Sequence, residues 1–419
     1  MSAPISRHQL FAYSILGIPI GFIGLPLYVH LPKYYADFLP ISLAAIGGVM
    51  FIARLADCFA DPWIGYCSDR FASKRKQWMI VASVLMAAGV IGLFALPQFA
   101  SETNAVWLLG ILLVITYLSY SVLSIYFYTA GLALSTDYEG TTRVSAWRES
   151  AIILGVLLAS ALPQILAVHV GEKSAYHLFS YCFVAILVLC VWSWLSRNPF
   201  NKKSNSEQLS PWQELKENPS LRWIFILFFV NAIPPSITAT LFLFFVTDIL
   251  HASEQGGAFL GVYFLCAVLS MPCWSWLSTR IGKRRALVAA MFLAVASFVW
   301  AYALSEGQVG AFYVICFLSG AALGGDLTIL PSLLADALSH KPHRGGLEFG
   351  IWNFISKFTL ALAAGIALPV LSYMGYVPNQ PLSSVYALSF SYALLPSIFK
   401  LLALSILLIS PIDTQRRSK

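Results

Sequence analysis

Twelve apolar stretches, each close to the roughly 20 residues that a helix needs to cross a bilayer, dominate this chain of 419 residues. They leave little from which to build a water-facing shell. In lipid a segment must satisfy its own backbone polar groups, so these stretches are expected as helices. The predicted spans are 9–30, 41–67, 77–97, 105–134, 147–170, 175–196, 221–248, 256–279, 284–304, 309–338, 346–374 and 384–411. Spans 4, 10 and 11 exceed the requirement, which implies tilt or helix continuing past the membrane. Hydrophobic residues make up 58% of the chain and charged residues 11%, with a mean hydropathy of +0.75. The expected class is therefore an all-α, multi-pass membrane protein in contact with the lipid bilayer. The net charge of +7 does not argue for nucleic acid, because the basic residues fall in short clusters between apolar runs. The seven cysteines, Cys58, Cys67, Cys182, Cys190, Cys266, Cys273 and Cys316, lie in apolar runs without CxxC spacing and read as packing residues. No cleavable leader pattern opens the sequence, so the first span is expected to act as an uncleaved insertion signal.

The basic residues orient the chain. Twenty of them, among them Arg70 to Lys76, Arg143, Arg197 to Arg222 and Arg280 to Arg285, fall on the side of the termini, against Lys33 and Lys173 opposite. Both termini are thus expected to be cytoplasmic. The longest polar stretch, 197–220, divides the chain into halves of six spans, 1–196 and 221–419. A repeat supports this division: Pro62-Trp-Ile-Gly-Tyr-Cys-Ser-Asp-Arg-Phe-Ala-Ser-Lys-Arg-Lys76 after span 2 is echoed by Pro272-Cys-Trp-Ser-Trp-Leu-Ser-Thr-Arg-Ile-Gly-Lys-Arg-Arg285 after span 8. Asp69, Arg70 and Arg280 are the expected conformational-loop residues. Two six-span repeats around a midplane site make the architecture of the major facilitator superfamily the expected fold.

Ionisable residues inside spans are costly and mark function. Here they are Arg54, Asp57, Asp61, Arg148, Glu149, Asp326, Lys357 and Lys400, with Glu348 and Asp336 nearer span ends. Arg54, Asp57 and Asp61 recur at i, i+3 and i+7 and so share one helix face. Two carboxylates facing one arginine leave one negative charge, which a proton, Na⁺ or Lys357 balances; alternatively the three form an ion pair that only fixes span 2. Lys357 is also a candidate structural partner for Asp326. Arg148 and Glu149 either cap a helix end in water or face the cavity. Lys400 has no partner legible in the sequence, and snorkelling toward the cytoplasm is the alternative to a functional role. Tyr126, Phe127 and Tyr128 in span 4 offer either packing or a ring-stacking face for a sugar.

These residues resemble the glycoside–pentoside–hexuronide:cation symporters, the melibiose-carrier-like branch of that superfamily, over nearly the whole chain. The resemblance rests on Tyr34-Tyr-Ala-Asp37, Ala53-Arg-Leu-Ala-Asp-Cys-Phe-Ala-Asp-Pro62, Ser135-Thr-Asp-Tyr138 with Arg148, Leu334-Ala-Asp336, Phe349-Gly-Ile-Trp-Asn-Phe-Ile-Ser-Lys357 and Gly375-Tyr-Val-Pro-Asn379. It implies that Asp57, Asp61 and Ser121 form the cation site, that Arg54 and Lys357 couple it to substrate, and that Tyr128 and Arg148 contact substrate. The chain departs from the family at three places. Ala60 replaces an asparagine and removes a neutral oxygen ligand, and Gly21 and Ser124 stand where two sugar-binding aspartates are usual. Asp326, and Ser124 through its hydroxyl, are the candidate replacements at the substrate.

The expected function is a cation-coupled secondary transporter, a sugar or glycoside symporter driven by H⁺. The metal reading, Na⁺ on Asp57 and Asp61, applies only if sodium is the coupling ion. A lysophospholipid or other amphipath is the alternative cargo, and a non-transporting membrane sensor ranks below both. No enzyme activity, cofactor or nucleic-acid partner is expected. A monomer in the plasma membrane, the inner membrane of a bacterium, is expected.

Overall fold

The computed structural model describes residues 5–28, 30–31, 34–35, 43–95, 102–135, 137–197, 218–339, 345–376 and 385–412. Asp37, Asn379, Lys33 and nearly all of the predicted 197–220 linker lie outside these residues. The helices are α1 (Arg7–Ser14), α2 (Gly17–Tyr28), α3 (Leu43–Arg70), α4 (Arg75–Ala95), α5 (Glu102–Leu134), α6 (Tyr138–Val170) and α7 (Glu172–Arg197). They continue as α8 (Pro219–Phe244), α9 (Gly256–Ile281), α10 (Lys283–Tyr302), α11 (Val309–Ala337), α12 (Gly346–Tyr373), α13 (Val385–Ser389) and α14 (Leu395–Ile409). A π-turn, Phe390–Leu394, joins α13 to α14, so the two fill the last predicted span. Among the described residues, nine helical segments are long and apolar enough to cross a membrane.

Span 1 differs from its prediction in being two helices. Pro19 has no N–H to give the Ile15 carbonyl, which instead accepts from Ile18 N at 3.2 Å, and the helix restarts at Gly17. Ser6 begins α1 with a capping box, its hydroxyl accepting from Gln9 N at 3.2 Å while Gln9 Oε1 accepts from Ser6 N at 3.0 Å. Span 5 starts earlier than hydropathy indicates. Asp137 Oδ2 accepts from Gly140 N at 3.0 Å and starts α6, so Arg148 and Glu149 lie several turns inside a helix rather than at its wet end.

The chain packs as two compact units. The first comprises Met1–Thr136, Trp147–Gln208 and Leu338–Phe354; the second comprises Asp137–Ala146, Leu209–Ala337 and Ile355–Lys419. Helices α6 and α12 thus each give their first turns to one unit and the remainder to the other. In the first unit, α5 packs on α3 and α4, and α7 on α4 and α2. In the second, α11 packs on α9 and α10, and α14 on α8 and α10. An aromatic core of Phe245, Phe259, Phe312 and Tyr392 closes one end of the second unit, with Phe245 stacked on Tyr392 at 4.1 Å between centroids.

Glycines allow the closest crossings in the first unit. A Cβ on Gly21 would collide with the Ile152 carbonyl, and one on Gly155 with the Ile18 carbonyl, so α2 and α6 meet backbone to backbone. Gly65 and Gly346 do the same for α3 and the start of α12.

Candidate functional site

The face of α3 that carries Arg54, Asp57 and Asp61 turns inward. Asp57 is 2% exposed and Asp61 0%. Ser121 on α5 donates its hydroxyl to Asp57 Oδ1 at 2.7 Å, which ties the carboxylate to a neutral oxygen on the neighbouring helix. Arg54 stands with its guanidinium 5.6 Å from the centre of the Tyr117 ring.

Ser121, Ser124 and Tyr128 recur at i, i+3 and i+7 on α5 and share one face. Ser124 donates to the Ser121 carbonyl at 3.1 Å and accepts from Asn353 Nδ2 at 2.8 Å, which links the face to the start of α12. Asn353 lies within the Phe349 to Lys357 motif, where the sequence alone gives it no role. The Tyr128 hydroxyl donates to Glu149 Oε1 at 3.1 Å, and its ring lies 3.9 Å beneath the Arg148 guanidinium and 5.2 Å from the Phe349 ring. Arg148 Nε also donates to Glu149 Oε1, at 3.0 Å, while Arg148 Nη2 is buried with no hydrogen-bond partner among the described residues. Arg148 is 2% exposed and Glu149 5%, so the reading of these two as a solvated cap is corrected: the early start of α6 carries them into the interior. A stacked guanidinium with one donor still open suits a polar, ring-shaped or anionic ligand.

Gly21 does not open space for a ligand. The α6 backbone occupies the volume that a side chain there would need.

The second unit holds the other candidates. Asp326 on α11 forms an ion pair with Lys400 on α14, and Lys400 also donates to Asn231 Oδ1 on α8 at 2.7 Å. The partner of Lys400 is therefore Asp326, a pairing between residues 74 apart in sequence that no local pattern signals. Lys357 lies on α12 with 7% of its surface exposed, one helical turn beyond Asn353.

The loop residues behave differently from one another. Asp69 accepts from the backbone N–H groups of Gly345 (3.3 Å), Gly346 (3.0 Å) and Leu347 (3.1 Å), and so caps α12 from the end of α3. Arg70 and Arg280 are exposed, the latter 5.6 Å from the Trp276 ring. Sequence reasoning missed a cluster at the repeat's second copy. Lys283, counted as one loop cation among many, is 0% exposed and donates to Asp336 Oδ2 at 2.6 Å and Thr141 Oγ1 at 2.9 Å, with the Tyr138 ring 4.3 Å away. Gly282, at φ +90°, makes the tight turn that brings Lys283 there.

Comparison with known proteins identifies the family and the fold. Residues 12–414 match the family described as MFS/sugar transport protein. The sodium-dependent lysophosphatidylcholine symporter 1 of Mus musculus is 22% identical, covering 99% of this chain and 88% of its own length. The isoprimeverose transporter of Lactiplantibacillus pentosus is also 22% identical, over 95% of this chain and 88% of its own. The crystal structure of a bacterial homologue of the iron transporter ferroportin in its outward-facing state superposes with a TM-score of 0.70 at 16% identity, over 95% of this chain and 98% of its own, which establishes the fold. This all-α, multi-pass membrane protein is therefore a transporter of the major facilitator superfamily, with the glycoside–pentoside–hexuronide type of symporter among its relatives, and belongs to the MFS/sugar transport protein family.

Proposed function

We propose that the chain is a proton-coupled symporter of a sugar or glycoside that works by alternating access as a monomer in the plasma membrane. The observation that carries this reading is the pair of buried carboxylates one helical turn apart, Asp57 held by Ser121 and Asp61 beside it on α3. Asp57 and Asp61 take up the cation, Arg54 keeps the site near neutrality once loaded, and Lys357 replaces the cation as counter-charge when it leaves. Arg148, Tyr128 and Ser124 contact the substrate, Tyr128 by stacking and Arg148 by its open donor. The proton is favoured over sodium because Ala60 brings no oxygen to a site whose donors are two carboxylates and one hydroxyl. Linkage between the two ligands is on the order of 1–3 kcal/mol in typical couplings.

Gradient-driven uptake and counterflow in proteoliposomes test the reading. Asp61→Asn abolishes uphill accumulation and leaves counterflow exchange partly intact; unchanged proton-driven accumulation in that variant overturns the assignment. In sodium-free buffer the native chain accumulates substrate, and a strict sodium requirement would transfer Asp57 and Asp61 to Na⁺.

A second cargo, a lysophospholipid, is favoured by one observation. Gly21 is a helix-packing position and Ser124 offers a hydroxyl, which also accepts from Asn353, so neither supplies the carboxylate expected of a sugar site.

A further inference from the structure

Arg148 and Glu149 are neighbours on α6, and consecutive residues on a helix do not face each other as residues three or four apart do. Their bond at 3.0 Å therefore requires both side chains to turn toward one point. That point is Tyr128 on α5, whose hydroxyl donates to the same Glu149 oxygen at 3.1 Å and whose ring centre lies 3.9 Å from the guanidinium carbon. Only 3% of the Arg148 side chain and 6% of the Glu149 side chain are exposed. Phe349 beside Tyr128 and Tyr13 beside Phe127 add no charge. A pair that served stability alone would leave no donor open, because a buried polar group without a partner costs free energy. Arg148 Nη2 is such a donor: it is buried with no hydrogen-bond partner among the described residues, while both of these bonds to Glu149 fall on Oε1.

Charge decides what the open donor can meet. As it stands the pair is neutral. An anion at Nη2 would set two negative groups against one guanidinium in a buried place, and a cation there would face a donor. An uncharged hydroxyl fits both partners: its oxygen accepts from Nη2, and its proton, or that of the next hydroxyl, goes to a Glu149 oxygen. Without the carboxylate the order reverses, since a buried guanidinium with no counter-charge favours an anion that restores neutrality.

We propose that Glu149 sets the charge selectivity of the substrate site: by neutralising Arg148 and holding Tyr128 against it, it fits the open guanidinium donor to a hydroxyl of an uncharged group and keeps anions out. This rests on the reading above that Arg148 and Tyr128 contact the transported solute, and it gives a part to a side chain that reading leaves without one.

Calorimetric binding to the purified chain in nanodiscs at pH 7.5 tests it, with methyl β-D-glucoside and methyl β-D-glucuronide as probes that differ only at C6. The native chain prefers the glucoside by about tenfold or more, the size of one hydrogen bond to a charged group. Glu149→Gln keeps an acceptor for Tyr128 but loses the charge, and its preference reverses to the glucuronide. Glu149→Asp keeps the charge and the native order, which a purely structural role for the side chain does not predict. The neutral double variant Arg148→Gln/Glu149→Gln loses the gain for the anion. If Glu149→Gln is too unstable for calorimetry, its thermal midpoint in detergent rises with added glucuronide and not with glucoside. Native binding of the glucuronide as tight as that of the glucoside, no gain for the anion in Glu149→Gln by either measurement, or the same gain in Glu149→Asp overturns the proposal. If no glycoside binds the native chain, the sugar reading fails separately, and the comparison passes to lysophosphatidic acid against lysophosphatidylcholine: a gain for the acid confined to Glu149→Gln upholds the role of Glu149, and its absence overturns it.

Discussion

The cap that Asp69 places on α12 can be weighed bond by bond. Oδ1 accepts from Gly345 and Gly346 and Oδ2 from Leu347, and Arg75 Nη2 lies 3.5 Å from Oδ1. These three N–H groups belong to the first turn of α12, which has no helical partner for them. Asparagine at position 69 keeps one carbonyl oxygen for Gly345 and Gly346, and capping scales rank it level with aspartate for such bonds. It turns an amide N–H₂ toward Leu347, donor against donor, and gives up the charge that Arg75 and the helix N-terminus attract. The loss is one charge-assisted bond, about 1.5–3 kcal/mol. Hydrogen exchange reads this directly, because the amides of 345–347 exchange only when the cap opens. In Asp69→Asn the peptide covering them should exchange about 10- to 150-fold faster, while peptides from α7 keep the native rate. An unchanged rate in a folded Asp69→Asn protein would refute the reasoning, since it would mean that the cap holds no free energy in solution.

Two further outcomes follow from packing. Lys283→Met leaves Asp336 facing a buried methionine and costs about 3–5 kcal/mol, measured as lost thermal stability in detergent, whereas Lys283→Met/Asp336→Leu recovers most of it; a single variant as stable as the native chain contradicts this. Gly21→Asp forces α2 away from α6 and buries a carboxyl in the seam, about 1–3 kcal/mol for overpacking and about 2.5–3.5 kcal/mol for the charge. It should unfold at lower temperature by circular dichroism and gain no sugar affinity, and native stability would show that the seam has room.

What was legible in the sequence and what was not divide along physical lines. Hydropathy locates the spans because burial in lipid acts on each segment separately. It misplaces the start of α6, since Glu139, Arg143, Arg148 and Glu149 lower the local average although Asp137 starts a helix there. It cannot see the break at Ile15, which depends on the missing N–H of one proline. The Arg54, Asp57 and Asp61 face was readable because it lies on one helix with a fixed period. Lys400 with Asp326, Lys283 with Asp336 and Asp69 with Gly346 were not, because each joins helices far apart in sequence and nothing local encodes the pairing. The family's aspartate position at Gly21 shows the converse. Residue identity suggested a lost ligand, and the structure shows a backbone crossing that no side chain can enter.

The charges inside the spans leave Lys357 with a specific part in the proposed cycle. Arg148 closes on Glu149 within the first unit and Lys400 on Asp326 within the second, each pair neutral. Removing these from the eight interior charges leaves Arg54, Asp57 and Asp61, one negative in sum, and Lys357, one positive. In the proposed cycle a bound cation and Lys357 are alternative counter-charges for that deficit, and the empty carrier reorients with the lysine serving that purpose. Lys357→Gln removes one of the two choices. The loaded α3 site is neutral without the lysine and still moves, so counterflow exchange stays within about threefold of native, a change below 1 kcal/mol. The empty carrier holds an uncompensated carboxylate and stalls, so net gradient-driven uptake is lost. Loss of exchange and uptake together in a folded Lys357→Gln protein would show that the lysine binds cargo instead. Native uptake would show that the deficit on α3 is balanced elsewhere.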